Sequence, residues 1–517
     1  MSSPAPARTR RGVRVFLPAF LLLSFLSILW ALATPIFASP DESAHAVKAI
    51  AQVHGQLIQQ SRPDVPYPVY NLPDAYRFSP STICFAFYPG VTAACPTELG
   101  SPGGTDWFKD WVSGYNPVYY YAVGWPSLFL GGSAGIYGIR IVSALLSSAL
   151  LAGAFVAAAA GRRARWMPAG LAFLASPMSM FLAGSVNPQA AEFSASALLT
   201  VSLLRLLQHR EEPAEVALRL RTLWILITLS AAVLAIARAT GPLWVVVIVV
   251  GVFLASGVWS SLSLFRERSN YPWIAAIVAF GLFSVVWTLL TGSLSGQAQA
   301  TDAPLVGGTF VQGFWAMIRA TPFFVESAAG IFGWQDTVLP AVGYALIFGA
   351  LAILFALAVS ATDRRGRVVL IAALGVTVIV PAMVQAASVS RTGIIWQGRY
   401  GLFLYLAAIL LAAWILSHDA PRAAFLSAPI TVIINGLMGA FGVLAFLVVL
   451  RRYVVGTDAT ITKMFSAPVW EPPLGWPVLV ALNVLAVVAF SVWNTRSAIL
   501  LARAEDADAA LAPSSRP

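Results

Sequence analysis

Uninterrupted apolar stretches recur along the chain, near residues 15–37, 137–160, 167–186, 188–208, 222–240, 242–264, 273–292, 339–360, 368–388, 400–417, 427–450 and 476–495. Each is long enough for a helix to cross a hydrocarbon core of about 30 Å. Apolar positions run continuously instead of alternating, so the pattern predicts an all-α polytopic membrane protein and excludes a β-barrel. About 12 transmembrane helices are expected from these stretches. The first follows a basic tail with Arg8, Arg10, Arg11 and Arg14 and ends in PIFAS, which could pass for a signal-peptide cleavage site. Its apolar core exceeds the roughly 7–15 residues of a secretory signal, so a retained first span is expected.

Basic residues orient the spans. With the amino terminus inside, 20 of the 32 Lys and Arg fall on short cytoplasmic connections and tails, ten fall on four longer opposite loops, and Arg140 and Arg238 lie at span ends. This positive-inside bias predicts a multi-pass membrane protein with both termini cytoplasmic. The expected organisation is a basic tail at 1–14, one transmembrane domain at 15–496 and a disordered cytoplasmic tail at 497–517. Outer loops are expected at 38–136, 293–338, 389–399 and 451–475. Most loop mass therefore faces outward. The net charge of +10 in a chain that is 58% apolar and 10% charged records topology, and no nucleic-acid partner is implied.

The first outer loop opens with ASPDESAHAVKAIAQVHGQLIQQ at residues 38–60. Ser39 as cap and Pro40 at the first helical position predict a helix start, with Glu42 able to reach back to the cap. Asp41, His45 and Lys48 then share one face at the membrane surface. Glu42 either completes the capping box or joins Asp41 in function. Further on, PDVPYPVYNLPDAYRF predicts an ordered but irregular excursion, since aromatics are scarce in disordered linkers. Cys84 and Cys95 are the only cysteines. In an oxidising compartment a bridge between them would stabilise the loop by about 3 kcal/mol; two free buried thiols are the alternative. The spacing does not suit zinc.

GYNPVYYYAVGWPSLFLGG, residues 114–132, reads as an aromatic helix in the outer interface, with a further span as runner-up. In SVNPQAAEF, Asn187 and Pro188 start the fourth helix and Glu192 lies one turn inside it, where an ionisable group costs about 2.5 kcal/mol at mid-membrane and so suggests function or a polar tie. Arg238 is either a phosphate partner or a snorkelling side chain. Later outer segments supply Asp336 beside Trp334 in FGWQDTVLP, and Arg399 in SRTGIIWQGRY, whose planar fork suits phosphate or carboxylate.

Carboxylate, arginines and aromatics at one membrane face suit a lipid phosphate and a hydroxylic acceptor. SPDESAH, YNPVYYY, SVNPQAAEF, FGWQDTVLP and WQGRY together resemble an uncharacterised bacterial family of polytopic membrane proteins, a domain of unknown function allied to the GT-C glycosyltransferases, over about residues 15–455. That resemblance implies sugar transfer from a polyprenyl-phosphate donor to an envelope glycan, lipid or protein. It names Asp41 first and Glu42 second as catalytic; in a direct displacement Arg399 and Arg238 would hold the donor phosphate, and His45 and Lys48 either orient the carboxylate or bind phosphate. Asn116, Tyr119, Tyr120, Glu192, Trp334, Asp336, Trp396 and Gln397 are candidates for acceptor or sugar contacts. The loop lacks an Asp-x-Asp pair, so a divalent metal is possible but not required and the cofactor is unknown. Membrane lipids are expected partners. The rival readings are a transporter or lipid flippase, against which no internal repeat is found, and a non-catalytic envelope-assembly protein.

Overall fold

The structure, a computed structural model, describes residues 5–63, 65–95, 99–100, 103–293 and 303–511. The ends of both expected tails, and 294–302 of the expected second outer loop, lie outside these residues. The chain begins with α1 (Ala5–Ala33) and α2 (Glu42–Val53), followed by a three-stranded antiparallel sheet of β1 (Gln60–Arg62), β2 (Val65–Pro73) and β3 (Thr105–Lys109) in that order. Helices α3 (Pro117–Gly124), α4 (Gly132–Ala159), α5 (Met167–Leu171), α6 (Pro177–Ala183), α7 (Gln189–Glu211), α8 (Leu220–Ala237), α9 (Gly241–Ser256), α10 (Val258–Leu262) and α11 (Tyr271–Thr291) follow. The second half contains α12 (Phe310–Gly330), the two-stranded ribbon β4 (Ile331–Phe332) and β5 (Thr337–Val338), and then α13 (Ala341–Ala361) and α14 (Arg364–Thr392). It ends with α15 (Leu402–Asp419), α16 (Ser427–Val455), α17 (Thr462–Ser466) and α18 (Trp476–Leu511).

Among the described residues ten helices are long and apolar enough to cross a membrane. The all-α polytopic expectation holds, and the two spans that differ do so for local reasons. Expected span 167–186 is interrupted: Ser176 and Pro177 restart the chain after a 3-10 turn, giving α5 and α6, both buried inside the bundle. Broken backbone at this depth is tolerated because protein, not lipid, surrounds it. The expected span 242–264 ends early, at Gly257, whose φ of 107° stops α9 after 16 residues. Helix α7 is the axis of the bundle, its residues 189–208 all buried. Its Ala and Ser positions let α4, α8 and α15 approach closely, and Ser196 Oγ donates to the Phe403 carbonyl at 2.9 Å.

Two further expectations are corrected. Residues 497–511, expected to be disordered, continue α18, and Glu505 and Asp506 pair with Arg165 at 2.5 and 2.8 Å. The proline-rich segment of the first loop forms the middle strand β2; only residues 69–73 pair with β3, so Pro66 and Pro68 precede that ladder and interrupt none of it. The aromatic segment after it gives α3, eight residues and far too short to span, lying against α2.

Candidate functional site

The turn between α1 and α2 is shaped by one guanidinium. Arg140 of α4 is fully buried and satisfies all five of its donors: Nε and Nη2 bind Glu42 at 2.7 and 2.6 Å, Nη1 binds the carbonyls of Ala31 and Thr34 at 2.8 and 2.9 Å, and Nη2 also binds that of Pro35 at 2.7 Å. It thereby caps the end of α1 and fixes the start of α2 at once. Glu42 also accepts from Val186 N at 3.0 Å and is itself fully buried. This corrects two expectations: Glu42 neither reaches back to Ser39 nor faces a substrate, because its lone pairs are committed to Arg140 and the backbone.

Helix α2 starts two residues later than expected, at Glu42 instead of Pro40. Asp41 is its N-cap, in the left-handed region at φ 64°, and makes no side-chain cap bond. Its carboxylate is turned outward, one-third exposed, where Oδ2 accepts from Arg399 Nη2 at 3.2 Å and Oδ1 from Trp111 Nε1 at 3.1 Å. Asp41 is the only one of the two adjacent acids that faces outward.

Arg399 differs from the other deeply buried arginines. Arg140 spends every donor, and Arg452, also fully buried, binds Thr337, Val91, Phe85, Tyr88 and Asp336. Arg399 is 6% exposed, yet Asp41 is its one hydrogen-bonding partner among the described residues, and its Nε and Nη1 have none. A buried cation with idle donors is costly unless something else completes its shell.

Tyr400 links this pair to a polar cavity. Its ring lies 5.3 Å from the Arg399 guanidinium and 4.4 Å from that of Arg238, and Arg238 stands 3.8 Å from Glu192. Beyond it, Tyr115, Arg238, Gln385, Ser388, Arg391, Trp396 and Tyr400 wall a cavity of about 310 Å³. Asp41 and Arg399 stand outside that lining. Along the same seam between α9 and α14, further from the loops, an apolar groove of about 740 Å³ runs over α15.

The remaining expected residues have other duties. His45 is buried with Nδ1 2.9 Å from the Tyr120 hydroxyl, and burial pushes its pKa down to about 3 despite the neighbouring Asp41 carboxylate. Lys48 is buried under Tyr120 and donates to the Ser113 carbonyl, so it cannot reach a phosphate. Burial lowers its pKa and raises that of Asp110 close by. Asn116 caps α3 through Val118 N at 3.1 Å, and Tyr119 bonds Ser143 at 3.0 Å. Asp336 belongs to Arg452 at 3.0 Å, and Trp334 donates to the Phe37 carbonyl at 3.0 Å; neither joins the Asp41 cluster. Gln397 sits just before Arg399 with an unpartnered Oε1. Cys84 and Cys95 are bridged, and Arg452 holds the carbonyls of Phe85, Tyr88 and Val91 inside that bridged loop.

Trp111, Tyr115, Arg391 and Tyr400 were not singled out as site residues, and Arg140 was read only as a span-end cation. No local pattern marks Trp111 or Arg391, and Tyr115 and Tyr400 lie in YNPVYYY and WQGRY without being distinguished there. A tryptophan before a buried valine and a tyrosine after the conspicuous WQGR acquire meaning only when distant segments meet. Glu42 is committed to Arg140, and no cluster of three or more His, Cys, Asp or Glu suited to a metal occurs among the described residues.

Fold and site define a polytopic helical membrane protein with a polar, arginine-bearing centre at its loop-bearing end. The chain belongs to the family described as "Predicted membrane protein (DUF2142)", whose model matches residues 22–410. That match covers most of the stretch on which the family resemblance rested. No curated protein matches the chain. Among solved structures, ArnT from Cupriavidus metallidurans bound to undecaprenyl phosphate is similar at a TM-score of 0.41 and 14% identity, over 96% of this chain and 78% of that one.

Proposed function

We propose that the protein is a membrane glycosyltransferase of GT-C type that moves a sugar from a polyprenyl-phosphate donor to a hydroxylic acceptor of the cell envelope. The observation that carries this reading is Arg399: a guanidinium 6% exposed, with Nε and Nη1 unpartnered, beside a one-third exposed carboxylate. Such a cation fits an anionic group brought by a substrate. Arg238 and Arg391 on the adjoining cavity wall suit the same phosphate, and the apolar groove between α9 and α14 suits its prenyl chain. The arginine-rich short connections support an inner-membrane orientation with both termini cytoplasmic and the site outside.

The reaction is a direct displacement. Asp41 retains free lone pairs after its bonds to Arg399 and Trp111, and takes the acceptor hydroxyl proton as the oxygen attacks the anomeric carbon. The new carbon–oxygen bond forms while the bond to the phosphate oxygen breaks, and the electron pair leaves on the lipid phosphate. Negative charge grows on that phosphate, so contacts from Arg399 and Arg238 tighten in the transition state and lower the barrier. Purified protein incubated with a panel of polyprenyl-phosphate sugars and an envelope fraction tests this. Transfer by wild type and its loss in Arg399→Gln are expected; no transfer from any donor would overturn the proposal.

A further inference from the structure

The backbone on both sides of Trp111 is held by hydrogen bonds: Asp110 N to the Pro68 carbonyl at 2.9 Å, Val112 N to Asp110 Oδ1 at 2.8 Å, Tyr115 N to the Val112 carbonyl at 2.9 Å, and Lys48 to the Ser113 carbonyl. Trp287 and Thr291 of α11 clamp the next carbonyl, that of Gly114, at 3.1 and 2.9 Å. Asp110, Val112 and Ser113 are all buried, whereas Trp111 is 47% exposed.

Its indole N–H donates to Asp41 Oδ1 at 3.1 Å. Among the described residues no aromatic ring or cation stacks on its faces. Two other exposed aromatics of the outer segments do have partners: the Arg62 guanidinium lies 4.9 Å from the Trp107 ring centre, and the Phe87 ring lies 5.2 Å from that of Trp334. A flat apolar face is therefore presented beside the outward carboxylate, with the carboxylate at the ring edge.

We infer that Trp111 is the platform for a pyranose ring of the acceptor, so the hydroxyl that Asp41 deprotonates belongs to a carbohydrate. This rests on the transferase reading and adds the acceptor's chemical class to it. A pyranose stacked by its C–H face on an aromatic ring sends its equatorial hydroxyls to the periphery. The periphery is where the indole N–H holds Asp41. A protein side chain or a bare lipid alcohol would make no such use of the open face.

The test needs no donor. Methyl pyranosides of the common hexoses are titrated against the full-length protein in nanodiscs, with saturation-transfer NMR reading their ring C–H protons. At least one pyranoside is expected to show a signal that Trp111→Phe keeps and Trp111→Ala weakens by about tenfold in affinity, the upper range for a stacking contact. Equal signals in wild type and Trp111→Ala, or no signal from any pyranoside, would overturn the inference. If Trp111 serves only as an interfacial anchor, Trp111→Ala changes thermal stability and leaves the sugar signal unmoved, which also overturns it. Because binding is read without transfer, failure here leaves the Asp41 chemistry to be judged by its own assay.

Discussion

Asp41 Oδ2 and Arg399 Nη2 lie 3.2 Å apart although 358 residues separate them in the chain. One stands where α1 hands over to α2, the other where α14 hands over to α15. Arg399→Gln removes a buried cation whose one hydrogen-bonding partner among the described residues, Asp41, stays solvated without it, so thermal stability in detergent should remain close to that of wild type. Sugar transfer should fall by about 10²–10³-fold, as when one preorganised charge-stabilising donor is lost. Parallel melting curves and initial rates check both halves of this separation.

Arg140 gives the opposite result. Glu42→Gln or Arg140→Met leaves a buried charge without its mate, a loss of about 3–5 kcal/mol. The double variant Glu42→Leu with Arg140→Met should recover part of that loss. Unfolding midpoints of the three variants would show it, and a harmless single variant would refute the role assigned to the pair.

The bridge between Cys84 and Cys95 closes a short loop that Arg452 grips from within. Replacing both cysteines with serine should lower stability by about 3 kcal/mol. Treating wild type with a reductant should lower its melting temperature toward that of the variant, and the variant itself should not respond.

His45 supplies a pH signature. Burial holds its folded pKa near 3, against 6.5 in the unfolded chain, with Asp41, Arg238, Arg399 and Lys48 the charged groups acting on it. Below pH 6.5 the unfolded chain binds the proton that the folded chain refuses, so stability present above pH 6.5 is lost as the pH falls toward 3. His45→Gln removes this component: its acid-induced drop in melting temperature should be smaller than that of wild type over the same range.

Legibility in the sequence followed the range of the interactions. Apolar runs are local, so ten long helices were visible as hydropathy, and the α9 stop at Gly257 cost only length. The interruption at Ser176 and Pro177 was hidden because both flanks are apolar and buried. Asp41 and Arg399 stood out because a charge beside an apolar run is conspicuous, and their meeting follows from both lying at the loop-bearing end. Glu42 could not be told from Asp41, since what separates them is Arg140, 98 residues away in α4. Asp336 misled for the same reason: its partner Arg452 is 116 residues distant.

The central claim concerns the side chain that accepts the acceptor's proton. The most direct measurement is the initial rate of sugar transfer from the polyprenyl-phosphate donor that wild type uses, compared between wild type and Asp41→Asn of equal melting temperature. Asparagine keeps the size and can still accept from Trp111, but it cannot serve as the base, so a fall of about 10²–10⁴-fold is expected. A folded Asp41→Asn protein that transfers sugar at the wild-type rate would contradict it.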